Sequence, residues 1–334
     1  MRWAIGKRAK GTRWCVWLMS RIAVIGAGAW GTALAIQAAR AGGGVVLVAR
    51  DPGSFAGRCS KHLAGFPLPA DVTVTDVAPA AADLTLFAVP TQYLRSACAG
   101  LPDAPVLVCA KGVELGTLRL PLEILRDQRP DLVSGVLTGP NFAHEVARGL
   151  PAAAVLAMED DRARAAAIGL IATHSFRIYG NDDAIGAQVG GAAKNVIAIA
   201  AGAVIGAGLG ENARAALITR GLAEMSRLAL ALGGRAETAT GLSGLGDLLL
   251  TCTGNSSRNY SLGLALGRGE SLDSILAGRS SVTEGVLTAP ALVARAAPLE
   301  LPIAQAVAGL LGGVFTLAQA IEGLLARPRK DEHR

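Results

Sequence analysis

Short apolar runs separated by polar turns fill the first half of the chain, and long alanine- and leucine-rich stretches fill the second. From Arg21 the run Ile22-Ala23-Val24-Ile25, a glycine turn, an alanine-rich segment at 32–41 and Val45-Val46-Leu47-Val48 spell strand, helix, strand. This is the pattern of a βαβ unit. Further strand-like runs at 84–89, 106–110, 136–137 and 153–157, with helical or loop stretches between them, predict a mostly parallel, doubly wound sheet. The texture changes near residue 185. Segments 195–203, 213–232, 261–266 and 288–296 then read as helices, with Asn212 the expected cap of one beginning at Ala213 and Gly233-Gly234 its end.

A hydrophobic share of 51% over 334 residues can fill two medium cores. The mean hydropathy of +0.41 raises the question of a membrane span. The uncharged stretch 195–210, however, has only 16 residues, four of them glycine. A span needs about 20 apolar residues. The stretch reads instead as a buried helix with a glycine-rich turn behind it, and no stable membrane insertion is expected.

The net charge of +6 is unevenly placed. Arg2, Lys7, Arg8, Lys10 and Arg13 precede Met19 with no acid among them, so without residues 1–18 the charge falls to +1. Nucleic-acid binding thereby loses its main support. The leader also makes a poor signal peptide, because Arg21 interrupts the apolar run after Arg13. Met19 is the expected natural start. Cys15, Cys59, Cys98, Cys109 and Cys252 form no CxxC pair, as suits thiols in a reducing, cytoplasmic compartment. His62, His144, His174 and His333 never fall at metal-ligand spacing, and no metal site is expected.

The glycine turn is Gly26-Ala27-Gly28-Ala29-Trp30-Gly31, a G-x-G-x-x-G between a strand and a helix. In that context Gly26 allows the tight turn, Gly28 lets a pyrophosphate approach the backbone, and Gly31 lets helix and strand pack closely. The helix N-terminus offers a positive dipole end to phosphate. The position after the second strand, where an acid would bind a ribose hydroxyl, carries Arg50, with Asp51 next to it. A guanidinium there suits a 2′-phosphate, so NADP is slightly favoured while NAD stays open. The expected organisation is α/β: a basic leader at 1–18 outside the fold, a Rossmann-like dinucleotide-binding domain at 19–188, an all-α substrate domain at 189–326 and a charged tail at 327–334. Gly241-Leu242-Ser243-Gly244-Leu245 lacks the final glycine of a nucleophile elbow, and no G-x-x-x-x-G-K-[ST] occurs. These absences disfavour serine hydrolase and P-loop readings.

Four nearly uncharged segments each carry a lone polar or charged residue: Lys111-Gly112; Gly139-Pro140-Asn141-Phe142-Ala143; Gly190-Gly191-Ala192-Ala193-Lys194-Asn195; and Asp247 in Gly244-Leu245-Gly246-Asp247-Leu248. Taken singly, either lysine could be a snorkelling side chain. Taken in order, with the run from Glu211 to Met225 and Ser256-Ser257-Arg258-Asn259, the segments resemble the bacterial NAD(P)-dependent glycerol-3-phosphate dehydrogenase family from Arg21 nearly to the C-terminus. The resemblance implies reduction of dihydroxyacetone phosphate to sn-glycerol 3-phosphate, in support of glycerophospholipid synthesis, with Lys194 transferring the proton. It implies Lys111, Gly139, Asn141, Asp247, Ser257, Arg258 and Asn259 around the substrate. For the cofactor it implies Trp30, Arg50, Lys111, Ala143, Arg258, Val282 and Glu284, beside Gly26, Gly28 and Gly31 of the turn. Family members often have threonine or serine where Asn141 stands, and residues 1–18 have no counterpart.

The chemistry is coherent with this. Negative charge developing on a carbonyl oxygen needs a proton, and a lysine ammonium supplies both charge and proton. Lys194, placed at the start of an apolar helix, is expected to have a lowered pKa, more so if Lys111 shares its pocket. Arg258, between Ser257 and Asn259, is the natural phosphate anchor. A β-hydroxyacid or 6-phosphogluconate type dehydrogenase, or a cofactor-binding redox sensor, remains an alternative. Oligomeric state is open, a homodimer included.

Overall fold

The computed structural model describes residues 21–254, 256–279 and 283–326. The leader and the expected start at Met19, the cofactor candidate Val282, and the tail 327–334 lie outside the described residues. The strands are β1 (Arg21–Ile25), β2 (Gly44–Val48), β3 (Val72–Thr75), β4 (Leu84–Phe87), β5 (Val106–Val108), β6 (Ser134–Thr138), β7 (Ala152–Ala157) and β8 (Phe176–Asn181). They form one sheet in the order β3-β2-β1-β4-β5-β6-β7-β8, parallel except between β6 and β7. In the centre Ile22 of β1 pairs with Val45 on one side and Leu84 on the other.

Helices cover both faces. Ile22, Val24, Leu84 and Leu86 pack toward α1 (Ala29–Arg40), α4 (Ala143–Arg148) and α5 (Asp161–Ile171). Ala23, Ile25, Phe87 and Val108 pack toward α2 (Leu94–Ala97) and α3 (Pro121–Gln128). Every residue of β4 is buried, so its sequence shows a continuous run and no alternation. β3 and β8 are absent from the sequence expectation. They are the two margins of the sheet, and β8 buries only Phe176, which leaves little hydrophobic pattern to read. β4 and β5 stop before residues 88–89 and 109–110, which begin the loops instead.

The second half consists of α6 (Ala184–Gly206), α7 (Gly210–Ala231), α8 (Ala236–Thr240), α9 (Asp247–Thr253), α10 (Arg258–Gly267), α11 (Leu272–Ala277), α12 (Glu284–Ala296), α13 (Pro302–Leu311) and α14 (Leu317–Leu325). α6 is its core. Asp183 caps it by accepting a bond from the Gly186 amide at 2.8 Å, and the helix continues unbroken through Gly190-Gly191. Lys194 is therefore mid-helix, not at a helix start as expected, and the expected division at 188/189 falls inside α6.

The glycines do not break α6 because neighbouring backbone presses on them. A Cβ on Gly190 would fall 2.4 Å from the Ser243 carbonyl oxygen, and one on Gly202 would fall 2.1 Å from that of Tyr260. Tertiary packing outweighs the helix propensity lost at each glycine, about 1 kcal/mol. α6 is long and apolar enough to cross a membrane, yet 89% of its most apolar window is buried inside the protein, as in a core helix. α7 begins at Gly210, so Asn212 lies within its first turn and does not cap it. Its end agrees with the glycine signal, Gly233 having φ +89° just beyond it.

Candidate active site

β1, β2, β4, β5 and β6 run parallel, so the loops leaving them share one edge of the sheet. Those loops carry Gly26, Arg50, Thr91, Lys111 and Gly139. Strand order reverses between β1 and β4, the place where such sheets open a crevice at their carboxyl ends.

Gly26 adopts φ +105°, and a Cβ there would meet the Ala88 carbonyl oxygen at 2.6 Å. A Cβ on Gly31 would fall 1.8 Å from the Gly26 carbonyl oxygen, so α1 rests directly on the turn. Gly28 faces open space, and the first turn of α1 holds no acid. This cradle fits the pyrophosphate of a dinucleotide. Trp30 and Ala143, the first residue of α4, pack against the same hydrophobic cluster, and Arg50 is exposed at the end of β2. Gly31→Ala is expected to destabilise the fold by roughly 1–3 kcal/mol through overpacking, read as a lower denaturation midpoint.

Asp247 is the centre of the catalytic candidates. A wide helical turn, Leu242–Gly246, leads into it at the start of α9, and it is 1% exposed. Lys194 Nζ donates to Asp247 Oδ1 at 2.5 Å, and Lys111 Nζ donates to Oδ2 at 2.6 Å. Lys194 also donates to the Thr251 hydroxyl at 2.9 Å, which in turn donates to the Asp247 carbonyl at 2.6 Å. Lys111 reaches the Gly139 carbonyl at 3.3 Å. Burial pushes the Lys194 ammonium down to about 8. Asp247 opposes that shift, and the Lys111 charge adds to it.

The remaining candidates frame this centre. Asn195 Oδ1 accepts from Asn259 Nδ2 at 2.9 Å, and Asn259 Oδ1 accepts from the Gly285 amide at 3.0 Å, tying α6, α10 and α12 together. Ser257 caps α10 by accepting from the Tyr260 amide at 3.2 Å, and Arg258 next to it is exposed. Glu284, the first residue of α12, has its carboxyl pushed up by burial against the pull of Arg258, Lys111 and Lys194. Asn141 Nδ2 donates to the Ala153 carbonyl at 3.0 Å, while its Oδ1 is buried without a partner. Thr251 and Asn195 were not among the candidates read from the sequence. Thr251 stands four residues after Asp247, one helical turn on, and that spacing was the available signal.

The profile described as NAD-dependent glycerol-3-phosphate dehydrogenase N-terminus matches residues 21–164, and its C-terminus counterpart matches residues 183–322. The chain belongs to the NAD-dependent glycerol-3-phosphate dehydrogenase family. The glycerol-3-phosphate dehydrogenase [NAD(P)+] of Acidiphilium cryptum is 55% identical, covering 93% of this chain and 98% of the relative. That of Gluconobacter oxydans is 52% identical over 92% and 97%. The crystal structure of glycerol-3-phosphate dehydrogenase from Coxiella burnetii superposes with a TM-score of 0.87 at 35% identity, covering 92% of this chain and 99% of that one. The dehydrogenase match includes the helical half, which a redox sensor would not need, and it separates the chain from the hydroxyacid and 6-phosphogluconate alternatives.

Proposed function

We propose that the chain reduces dihydroxyacetone phosphate to sn-glycerol 3-phosphate, reversibly, in the cytoplasm and in support of glycerophospholipid synthesis. The observation that carries this reading is the Lys194–Asp247–Lys111 arrangement, centred on a buried carboxylate, with Lys111 on the same edge of the sheet as the glycine turn. A reduced nicotinamide dinucleotide, when bound, supplies the hydride. Gly26, Gly28, Trp30, Gly31, Arg50, Lys111, Ala143, Arg258 and Glu284 would hold it, with Arg50 favouring the 2′-phosphate of NADPH.

An ammonium has three N–H donors. Lys194 directs one to Asp247 and one to Thr251, which leaves the third for the substrate carbonyl oxygen. As charge grows on that oxygen, Lys194 delivers its proton and Asp247 holds the lysine in place. Lys111 contributes positive charge next to the Gly139 carbonyl, and the buried Asn141 Oδ1 offers an acceptor for a substrate hydroxyl. Ser257, Arg258 and Asn259 gather at the N-terminus of α10, where the helix dipole adds to the guanidinium in attracting phosphate.

The test is oxidation of NADPH, and separately of NADH, with dihydroxyacetone phosphate. Absence of turnover with both would overturn the assignment. Arg258→Ala is expected to raise KM for dihydroxyacetone phosphate by about 10- to 100-fold, the effect of losing one charge-assisted contact. An unchanged KM would remove Arg258 from phosphate binding.

A further inference from the structure

Lys111 lies on the loop between β5 and α3, which has no strand or helix to stiffen it. A second set of contacts, remote from the reacting atoms, does so instead. The Glu114 carboxylate, 7% exposed, accepts from Arg95 Nε at 3.1 Å and from Nη2 at 2.8 Å, and also from the Thr117 hydroxyl. Arg95 faces Asp127 as well, and Asp127 pairs with Arg119 at 3.4 Å. Gln92 grips the loop from the segment after β4: its Nε2 donates to the Val113 carbonyl at 2.8 Å and its Oε1 accepts from the Leu115 amide at 3.0 Å. Within the loop, the Glu114 amide donates to the Arg119 carbonyl at 2.9 Å, and the Leu118 amide donates to the Glu114 carbonyl at 3.0 Å.

A largely buried carboxylate gripped by two prongs of a guanidinium is fixed in direction as well as position. Glu114 is three residues from Lys111, and Gln92 holds the carbonyl between them. We infer that Glu114, held by Arg95 and assisted by Gln92, is a positioning residue that fixes the loop delivering Lys111 to Asp247 and to the substrate. This rests on the reading of Lys194 as proton donor with Lys111 in the same pocket. The groups bearing on Lys194 are Asp247 and Thr251 from α9, Lys111 from this loop, Glu284 from α12 and the Cys252 thiol. Of these, only Lys111 depends on the clamp.

The experiment compares the full-length wild type with Glu114→Gln and Gln92→Ala, measuring KM, kcat and the pH profile of dihydroxyacetone phosphate reduction. A loosened Lys111 should raise KM by about 10- to 100-fold, since displacement by an ångström at a site is enough for such losses. It should also move the alkaline limb to higher pH, because the ammonium that repels Lys194 has drawn away. Loss of the Glu114 charge acting through space alone would move that limb the other way, so the direction separates positioning from a field effect.

A wild-type KM together with a limb that stays put or moves down overturns the proposal. If Glu114→Gln does not fold, Gln92→Ala, which keeps the ion pair, carries the same test. Lys194→Ala measured alongside tells the two readings apart. Full turnover in that variant overturns the proton-donor role, and KM still decides whether the clamp places Lys111. An inactive Lys194→Ala with a wild-type Glu114→Gln overturns the clamp alone.

Discussion

Lys194→Ala is expected to lower kcat for dihydroxyacetone phosphate reduction by about 10²- to 10⁴-fold, the range in which a positioned general acid contributes. Cofactor affinity should persist, because the glycine turn and α1 lie on a different element from α6. The fold should persist too. Truncation removes one of two ammoniums sharing a carboxylate, and Lys111 remains to neutralise Asp247 at 2.6 Å. In the wild type the sign of the pH dependence follows from the protonation each direction requires. Reduction needs charged Lys194, which prevails below about 8, so its rate falls as pH rises through that value. Oxidation of glycerol 3-phosphate needs the neutral amine, and its rate rises over the same interval. Steady-state rates in both directions across pH, a cofactor-binding titration and the denaturation midpoint of the variant check these statements. A Lys194→Ala enzyme with wild-type kcat would remove the lysine from the chemistry.

Asp247→Asn should have an effect of similar size by a different route. The carboxylate is the only acid within hydrogen-bonding distance of either lysine among the described residues, and it is buried. Removing one partner of a buried ion pair costs about 3–5 kcal/mol if the charges stay. Lys194 can instead shed its proton, because the pull of Asp247 that opposed its lowered pKa is gone. The alkaline limb of reduction is therefore expected to move below 8, with activity at neutral pH falling by about 10²- to 10³-fold and partly recovering in more acidic buffer. A pH–rate profile with its limb unmoved would show that Asp247 does not govern the proton on Lys194.

Much of this site is legible in the sequence because its residues break a pattern. Lys111, Lys194 and Asp247 each sit alone in an apolar stretch, and three such charges from distant segments meet within hydrogen-bonding distance. The βαβ unit around Gly26–Gly31 is legible for the same kind of reason, the spacing being dictated by one turn and one helix start. What the sequence hides is decided by long-range packing. Nothing near Gly190-Gly191 announces that Ser243 will press on it, so α6 reads as starting late. Asn212 looks like a cap because Gly210 is a poor helix former, yet α7 includes both. Ser257 and Asn259 read as ligands for phosphate. Their side chains also serve the scaffold, one capping α10 and the other bridging α6 to α12. The clamp on Glu114 needs Gln92 and Arg95 from the segment that follows β4, Arg95 within α2, and no local spacing links them to Glu114.

The close contact of α6 with α10 has a consequence for how steadily Lys194 is aimed. Where Gly202 and Gly263 bring the two backbones together, alanine and glycine supply most of the lining, and those residues have no rotamers to lose or to exchange. Larger side chains at the crossing would let the helices re-pack in several ways of similar energy. Contact between backbones leaves few soft coordinates, so the main chain from which Lys194 extends is fixed, Asp247 and Thr251 hold its ammonium, and little reorganisation is left for the moment when charge moves to the substrate.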